Sequence, residues 1–200
     1  MIRMNESVSK IIWEIFAIVL AVLLALALDN YNENRKEKKL AEYALQSILT
    51  EVENNLASIK ENYQKNQERL EQLILTRDTL IKMGKEALDG GISLYYEQTI
   101  LSNGAWEMAK LTGTTQQLSP DLLQDLSQIH SLQQMYATTG QNYFLQIASI
   151  EFNSENNEKA KIDALVNLIA ISGGVSQALI RNYETFLEEY DPENKYSGKD

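Results

Sequence analysis

Residues 9–40 read SKIIWEIFAIVLAVLLALALDNYNENRKEKKL, and the rest of the chain is organised around this stretch. Residues 11–28 are apolar apart from Glu14, and about 18 to 20 such residues at 1.5 Å each cross a hydrocarbon layer of roughly 30 Å. A single membrane-spanning helix is predicted. Trp13 and Tyr31 flank it, where amphipathic rings favour the headgroup level, and Arg35, Lys36, Lys38 and Lys39 follow in water or lipid phosphate. A cleaved signal peptide is the other reading, since Arg3 and Lys10 precede the apolar run and Ala25-Leu26-Ala27 has the small-x-small form of a processing site. Glu14 interrupts the apolar run and no Gly or Pro breaks the helix before Asn30, which favours an anchor that runs on as helix.

At 100° per residue, Glu14, Ala21, Ala25 and Asn32 share one meridian of that helix, with Ala17 beside it. Alanines four apart let two helices approach closely in lipid, where packing drives association. An ionisable residue within a span is costly and usually faces a partner or water. The face Glu14, Ala17, Ala21, Ala25, Asn32 is therefore a candidate contact of a homo-oligomer or the lining of a pore. The plainer alternative is that Glu14 lies near the boundary and snorkels to the headgroups.

Beyond the anchor, apolar residues keep a heptad spacing. Leu45, Val52, Ile59, Asn66, Leu73 and Leu80 occupy a positions, and Leu49, Leu56, Tyr63, Leu70 and Arg77 occupy d positions. Ile48, Ile74 and Ile81 widen the stripe from a coiled-coil seam to a bundle face, and a buried Asn66 can fix register. Nothing stops the helix before Met83, so one rod is expected from the membrane to Met83, ending within 84–91. Gly90-Gly91 then predicts a turn, 92–101 a short apolar helix with Tyr95 and Tyr96, and Asn103-Gly104 a bend.

Residues 105–112 predict another short helix, in which Trp106 anchors a core, Glu107 and Lys110 pair at i,i+3 and Gly113 caps the end. Ser119-Pro120-Asp121 is a helix start, with a hydroxyl cap and proline at the first helical position. Leu122, Leu126, Ile129, Gln133, Tyr136, Gly140, Tyr143, Ile147 and Ile150 then keep helical spacing to about Phe152, and Gly140 permits a close crossing. After a polar turn at 153–157, Ile162, Leu165, Ile169, Leu179, Tyr183, Phe186 and Tyr190 form a last helix, interrupted at Gly173-Gly174 and stopped by Asp191-Pro192. Residues 162–171 include Asp163 and Asn167 and are too short for a second span, so they read as bundle core.

The chain has 200 residues and a formal net charge of −10, with one histidine, two prolines and no cysteine. The acidic balance argues against wrapping nucleic acid, which demands clustered Lys and Arg. The lack of cysteine excludes disulfides, thiolate zinc sites and cysteine nucleophiles. His130 is the only histidine, so no cage of several histidines is expected, and no Ser-His triad is expected either, since no nucleophile elbow or phosphate-binding glycine loop occurs. Glu51, Glu53, Glu61, Glu68 and Glu71 alternate with Lys60, Lys65 and Arg69 as the solvated face of a helix. No catalytic residue, metal ligand or cofactor is expected.

Two pieces of the chain resemble a family of small, uncharacterised bacterial membrane proteins. The anchor EIFAIVLAVLLALALDNYNENRKEKK resembles their E-I-x-L-x-V-x-x-x-L-x-A-L-x-x-x-x-W-x-x-x-R opening, and AWEMAKLTG resembles their A-[WY]-E-x-x-K-x-[ST]-G motif. The resemblance carries over Glu14, Arg35, Ala105, Trp106, Glu107, Lys110 and Gly113, with Tyr31 where the family has Trp. It implies a bacterial single-pass protein with a helical domain and lends no activity.

The expected fold is all-α: an N-terminal transmembrane helix continuing into a long helix that packs in an elongated antiparallel bundle. Residues 1–35 form the tail and anchor, 36–192 the bundle and 193–200 a flexible tail. The expected function is a membrane-anchored, self-associating scaffold or sensor-like interaction module, with an oligomeric pore as the alternative and the lipid bilayer and a second copy of the chain as partners. The expected location is the bacterial inner membrane. Four Lys and Arg after the span against two before it lean towards a cytoplasmic domain.

Overall fold

The computed structural model describes residues 6–84, 95–153 and 158–191. The expected turn at Gly90-Gly91, most of that at 153–157 and the tail from Glu193 lie outside the described residues, as do the side chains of Tyr143, Ile147 and Ile150. Helix α1 spans Glu6–Met83, 78 residues, which at 1.5 Å each is about 117 Å. It ends where the sequence predicts. Gly84 takes a left-handed φ of +79° and its N–H donates to Leu80 O at 3.1 Å, closing the last turn.

Helix α2 covers Gly104–Leu111, a 3₁₀ turn Thr114–Gln117, α3 Pro120–Asn153 and α4 Glu158–Tyr190. The fold is all-α, with no strand among the described residues. Ser119 starts α3 as its sequence predicts, the Oγ accepting the Leu122 N–H at 3.3 Å.

Cross-contacts give the order of the bundle. Lys60 pairs with Glu184 at 2.6 Å and Arg77 with Asp163 at 3.7 Å, so α4 runs antiparallel to α1. Tyr190 donates to Asp125 at 2.9 Å and Gln133 to Tyr183 at 2.9 Å, so α3 runs antiparallel to α4. Helix α4 thus packs on both α1 and α3. The remaining side, between α3 and α1, is closed by residues 95–103, α2 and the 3₁₀ turn. Gln117 donates to Glu37 at 2.7 Å, which places that turn at the base of the bundle.

Two apolar clusters lie along this axis. The one nearer the base joins Ile48, Leu49, Val52, Leu56 and Ile59 to Leu122, Leu126, Ile129, Leu179 and Phe186. The other joins Leu73 to Ile162, Leu165, Leu168 and Ile169. The heptad stripe is therefore spent inside the chain, as a bundle face and not as a seam between copies. Ile81, expected on that stripe, is 58% exposed, since it lies in the last turn of α1.

Three expectations are corrected. Residues 95–101, expected within a helix, are not helical. Gly173-Gly174 does not interrupt α4, because Gly173 is buried where α1 crosses and a Cβ there would stand 3.2 Å from Gln67 Nε2 and 3.6 Å from Tyr63. Its absent side chain lets two helices approach without breaking either. Trp106 is half-buried at the rim of the basal cluster and not inside it.

Below the bundle α1 stands alone. From Lys10 to Leu40 every described side chain except Glu37 is exposed, and Ala41 is the first to be buried. Both α1 and α4 are long and apolar enough to cross a membrane, but the apolar window of α4 is 44% buried within the bundle and that of α1 is 0% buried. Helix α4 is accounted for as core, in keeping with its sequence. The apolar stretch of α1 has no cover within the described residues.

Candidate functional site

The free part of α1 carries two of the residue groups singled out by sequence. Glu14, Ala17, Ala21, Ala25 and Asn32 are all exposed along one face. Trp13 stacks on Phe16, with ring centroids 5.7 Å apart. Tyr31, Arg35, Lys38 and Lys39 line a shallow, solvent-open cleft on one side of the lone helix, together with Asn34 and Glu42. Lys36, expected among them, lies about 130° around the helix from the middle of that cleft.

The third group, Ala105 to Gly113, belongs to α2 and its C-terminal cap. Lys110 Nζ lies 2.8 Å from Glu107 Oε1 and 5.4 Å from the centroid of the Trp106 ring. The pair is solvent-exposed and contributes little to stability. Gly113 has φ +72° and donates to Lys110 O at 3.2 Å, the left-handed cap expected of it. At the other end Glu51 Oε2 accepts the Ala105 N–H at 3.0 Å and the Ser102 hydroxyl at 2.7 Å. Glu51, read from sequence as part of a solvated face, thus caps α2 by placing a carboxylate at its positive end. One end of the motif is thus held by the Glu51 carboxylate and the other by the left-handed backbone of Gly113.

The most organised polar feature shows in the sequence at Asn66 alone. Asn55, Asn62 and Asn66 sit on the buried face of α1 and hold residues 97–102 by their side-chain amides. Asn55 donates to Ser102 O at 2.7 Å and accepts the Ser102 N–H at 2.9 Å, so its amide pairs with a backbone amide as a neighbouring strand would. Asn62 and Asn66 both donate to Glu97 O, at 3.1 and 3.0 Å. Five residues thus cover the height of about nine helical ones, roughly 13 Å, which requires nearly extended backbone. An Asn at an a position here fixes the register of an extended segment within one chain, not that of a coiled coil between chains.

Helix α3 completes the clamp. Tyr136 donates its hydroxyl to Asn62 Oδ1 at 2.9 Å, and Gln98 Nε2 donates to Tyr136 O at 2.6 Å. Gly140 leaves the room for Gln98, whose Oε1 stands 1.6 Å from where a Cβ would be. The close crossing expected at Gly140 is therefore by a side chain. Burial pushes the Tyr183 phenol up to about 12 and raises those of Tyr136 and Tyr96 as well. At neutral pH the clamp consists of neutral amides and neutral phenols, which can hold a chain segment and have no group poised to move a proton.

His130 bonds Gln134 through Nε2 at 3.1 Å, and no cluster of metal-ligating side chains occurs among the described residues. The signal that could have disclosed the clamp is the spacing Asn55, Asn62, Asn66 on an otherwise apolar face. The partner segment could not be read the same way, because it is bound through its backbone. No protein-family model, curated protein or solved structure matches the chain. The likeness of the anchor and of AWEMAKLTG to the bacterial membrane family rests on those residues themselves.

Proposed function

We propose that this protein is a membrane-anchored helical bundle that self-associates through the Glu14, Ala17, Ala21, Ala25, Asn32 face of its span and serves as a scaffold or sensor-like interaction module, not as an enzyme. One observation carries the reading. Helix α1 is continuous from Glu6 to Met83, so directions can be followed along it. At 100° per residue the Ala21–Ala25 face points about 180° away from the side of α1 that meets the bundle through Ala41, Leu45, Ile48 and Val52. Two copies can bring their spans together along the alanines while their bundles point outward, without collision.

Further features support the same arrangement. The heptad stripe is occupied within the chain, which leaves the span as the contact. Lys36 and Lys39 continue the alanine side just beyond the span and repel one another between copies, so close approach is confined to the lipid. The family resemblance favours the bacterial inner membrane, and the Lys and Arg count favours a cytoplasmic bundle.

Crosslinking in native membranes tests the contact. Ala21→Leu and Ala25→Leu add bulk where backbones meet and should lower the crosslinked fraction severalfold, while Ile18→Leu should not. Variants that crosslink as well as the parent would remove the alanine face from the reading. In an oligomeric pore, Glu14 and Asn32 would line the conduit. Purified protein conducting ions across a planar bilayer, with conductance altered by Glu14→Gln, would favour that pore over the scaffold.

A further inference from the structure

We propose that the cleft formed by Tyr31, Asn34, Arg35, Lys38, Lys39 and Glu42 is a binding site for the headgroup of an anionic phospholipid, a site and not merely a diffuse basic surface. The inference rests on the membrane-anchored reading. The first observation is position. Tyr31 follows the last apolar residue of the span, Leu28, by three residues, about 4.5 Å, and Lys39 by eleven, about 16 Å. The interfacial layer on each side of the hydrocarbon is roughly 5 to 8 Å thick. Tyr31 therefore lies in that layer, Asn34 at its outer edge at about 9 Å, and Lys38 and Lys39 roughly 7 to 11 Å beyond it.

Side-chain direction closes the gap. In an α-helix every Cα–Cβ bond leans towards the N-terminus, which here is the membrane side. Arg35, Lys38 and Lys39 lean back towards the lipid phosphates, and their long stems cover the remaining distance. Among the described residues none of the three is engaged by another side chain, whereas Lys60, Lys65, Arg77, Lys110 and Lys159 are all in ion pairs.

Charge and shape point to the same occupant. The chain carries a net charge of −10, so an anionic surface repels the molecule as a whole and attracts it at this cleft. A guanidinium between two ammonium groups suits a phosphodiester, which accepts a bidentate bond from Arg and point-charge contacts from Lys. The Asn34 amide and Tyr31 hydroxyl add neutral donors of the kind that meet a glycerol hydroxyl or ester oxygen. The cleft is centred about 90° around α1 from the alanine face; Lys39 stands at its near edge, on the alanine side, and Tyr31, Asn34 and Lys38 stay open to lipid when copies associate.

The test uses the full chain reconstituted in phosphatidylcholine bilayers. Spin-labelled phosphatidylglycerol and spin-labelled phosphatidylcholine are compared for the motionally restricted fraction each gives. The parent should prefer phosphatidylglycerol about tenfold. Each of Arg35→Gln, Lys38→Gln and Lys39→Gln should lower that preference up to about fivefold, since one cation near the surface is worth about that factor. Lys36→Gln, which removes the same charge from the far side of the helix, should stay within twofold of the parent. All four residues are exposed, so the variants keep the fold, and far-UV circular dichroism checks this. Equal losses for Lys36→Gln and Lys38→Gln would overturn the site in favour of diffuse surface charge, and no preference in the parent would overturn it outright. A separate carbonate wash of native membranes tests the anchor. Protein released by the wash refutes the membrane reading, whereas protein retained without lipid preference refutes this inference alone.

Discussion

Replacing Asn62 by Ala should be among the most damaging single changes in the bundle. The residue is 5% exposed and its amide does three things. It donates to Glu97 O at 3.1 Å, and its Oδ1 accepts from Asn66 at 2.9 Å and from the Tyr136 hydroxyl at 2.9 Å. After truncation Asn66 still donates to Glu97 O at 3.0 Å, so that carbonyl stays satisfied. The Tyr136 hydroxyl, on a residue 1% exposed, loses this acceptor and keeps Tyr96 as its remaining side-chain partner. Each of the three lost bonds is worth about 1 kcal/mol, so the expected loss is about 3 kcal/mol. That is a large share of the roughly 5 to 15 kcal/mol holding a domain together. For a chain of this size it lowers Tm by about 10 °C. Thermal unfolding of the full chain in detergent, followed by far-UV ellipticity, measures it against Asn54→Ala, an exposed neighbour that should stay within about 0.5 kcal/mol of the parent. Tyr136→Phe removes the other partner of the Asn62 Oδ1 bond, so the double variant should recover about 1 kcal/mol relative to additivity. If Asn62→Ala melts within 1 or 2 °C of the parent, by the same Tm scale, the clamp contributes nothing and the 95–103 segment is held by its apolar contacts.

Gly174→Ala should raise Tm by about 2 to 4 °C, because no atom lies within 4 Å of the new Cβ and alanine is favoured over glycine in a helix by about 1 kcal/mol. Gly173→Leu, one residue away, should lower it, since the side chain must displace Gln67 and Tyr63; the same melts decide both. Glu51→Ala should cost about 1 to 2 kcal/mol and speed hydrogen exchange at the Ala105 amide, which loses its acceptor, while exchange deep in α4 is unchanged. The bundle should also be labile in alkali. Tyr183 has an ordinary value of 10.0 and is pushed up to about 12 in the folded chain by burial, so the unfolded chain ionises first. Its contribution is intact below pH 10 and is lost progressively between 10 and 12, by up to about 3 kcal/mol. Denaturant midpoints at pH 9 and 11.5 should show the fall, and Tyr183→Phe should reduce it.

Local sequence determined the elements of this protein to a large extent. The 78-residue α1 follows from the absence of Gly and Pro, its end from Gly84, the start of α3 from Ser119-Pro120, and the buried stripe from heptad spacing, because each is settled by backbone propensity and residue period. The exposed alanine face was legible for the same reason, since a helix converts spacing into direction, whereas the basic cluster was legible only by its place in the chain and includes Lys36, which the helix turns to another side. Tertiary structure decided the rest. Whether Gly173 breaks a helix or admits a neighbour depends on what lies opposite it, here Tyr63 and Gln67. Whether Glu51 meets solvent or caps α2 depends on a segment 54 residues away. Residues 95–101 have an apolar, helix-like pattern, yet they lie extended because the buried amides of Asn55, Asn62 and Asn66 take up the backbone groups of Glu97 and Ser102. A backbone held by distant side-chain amides leaves no trace in its own residues, and so only packing could reveal it.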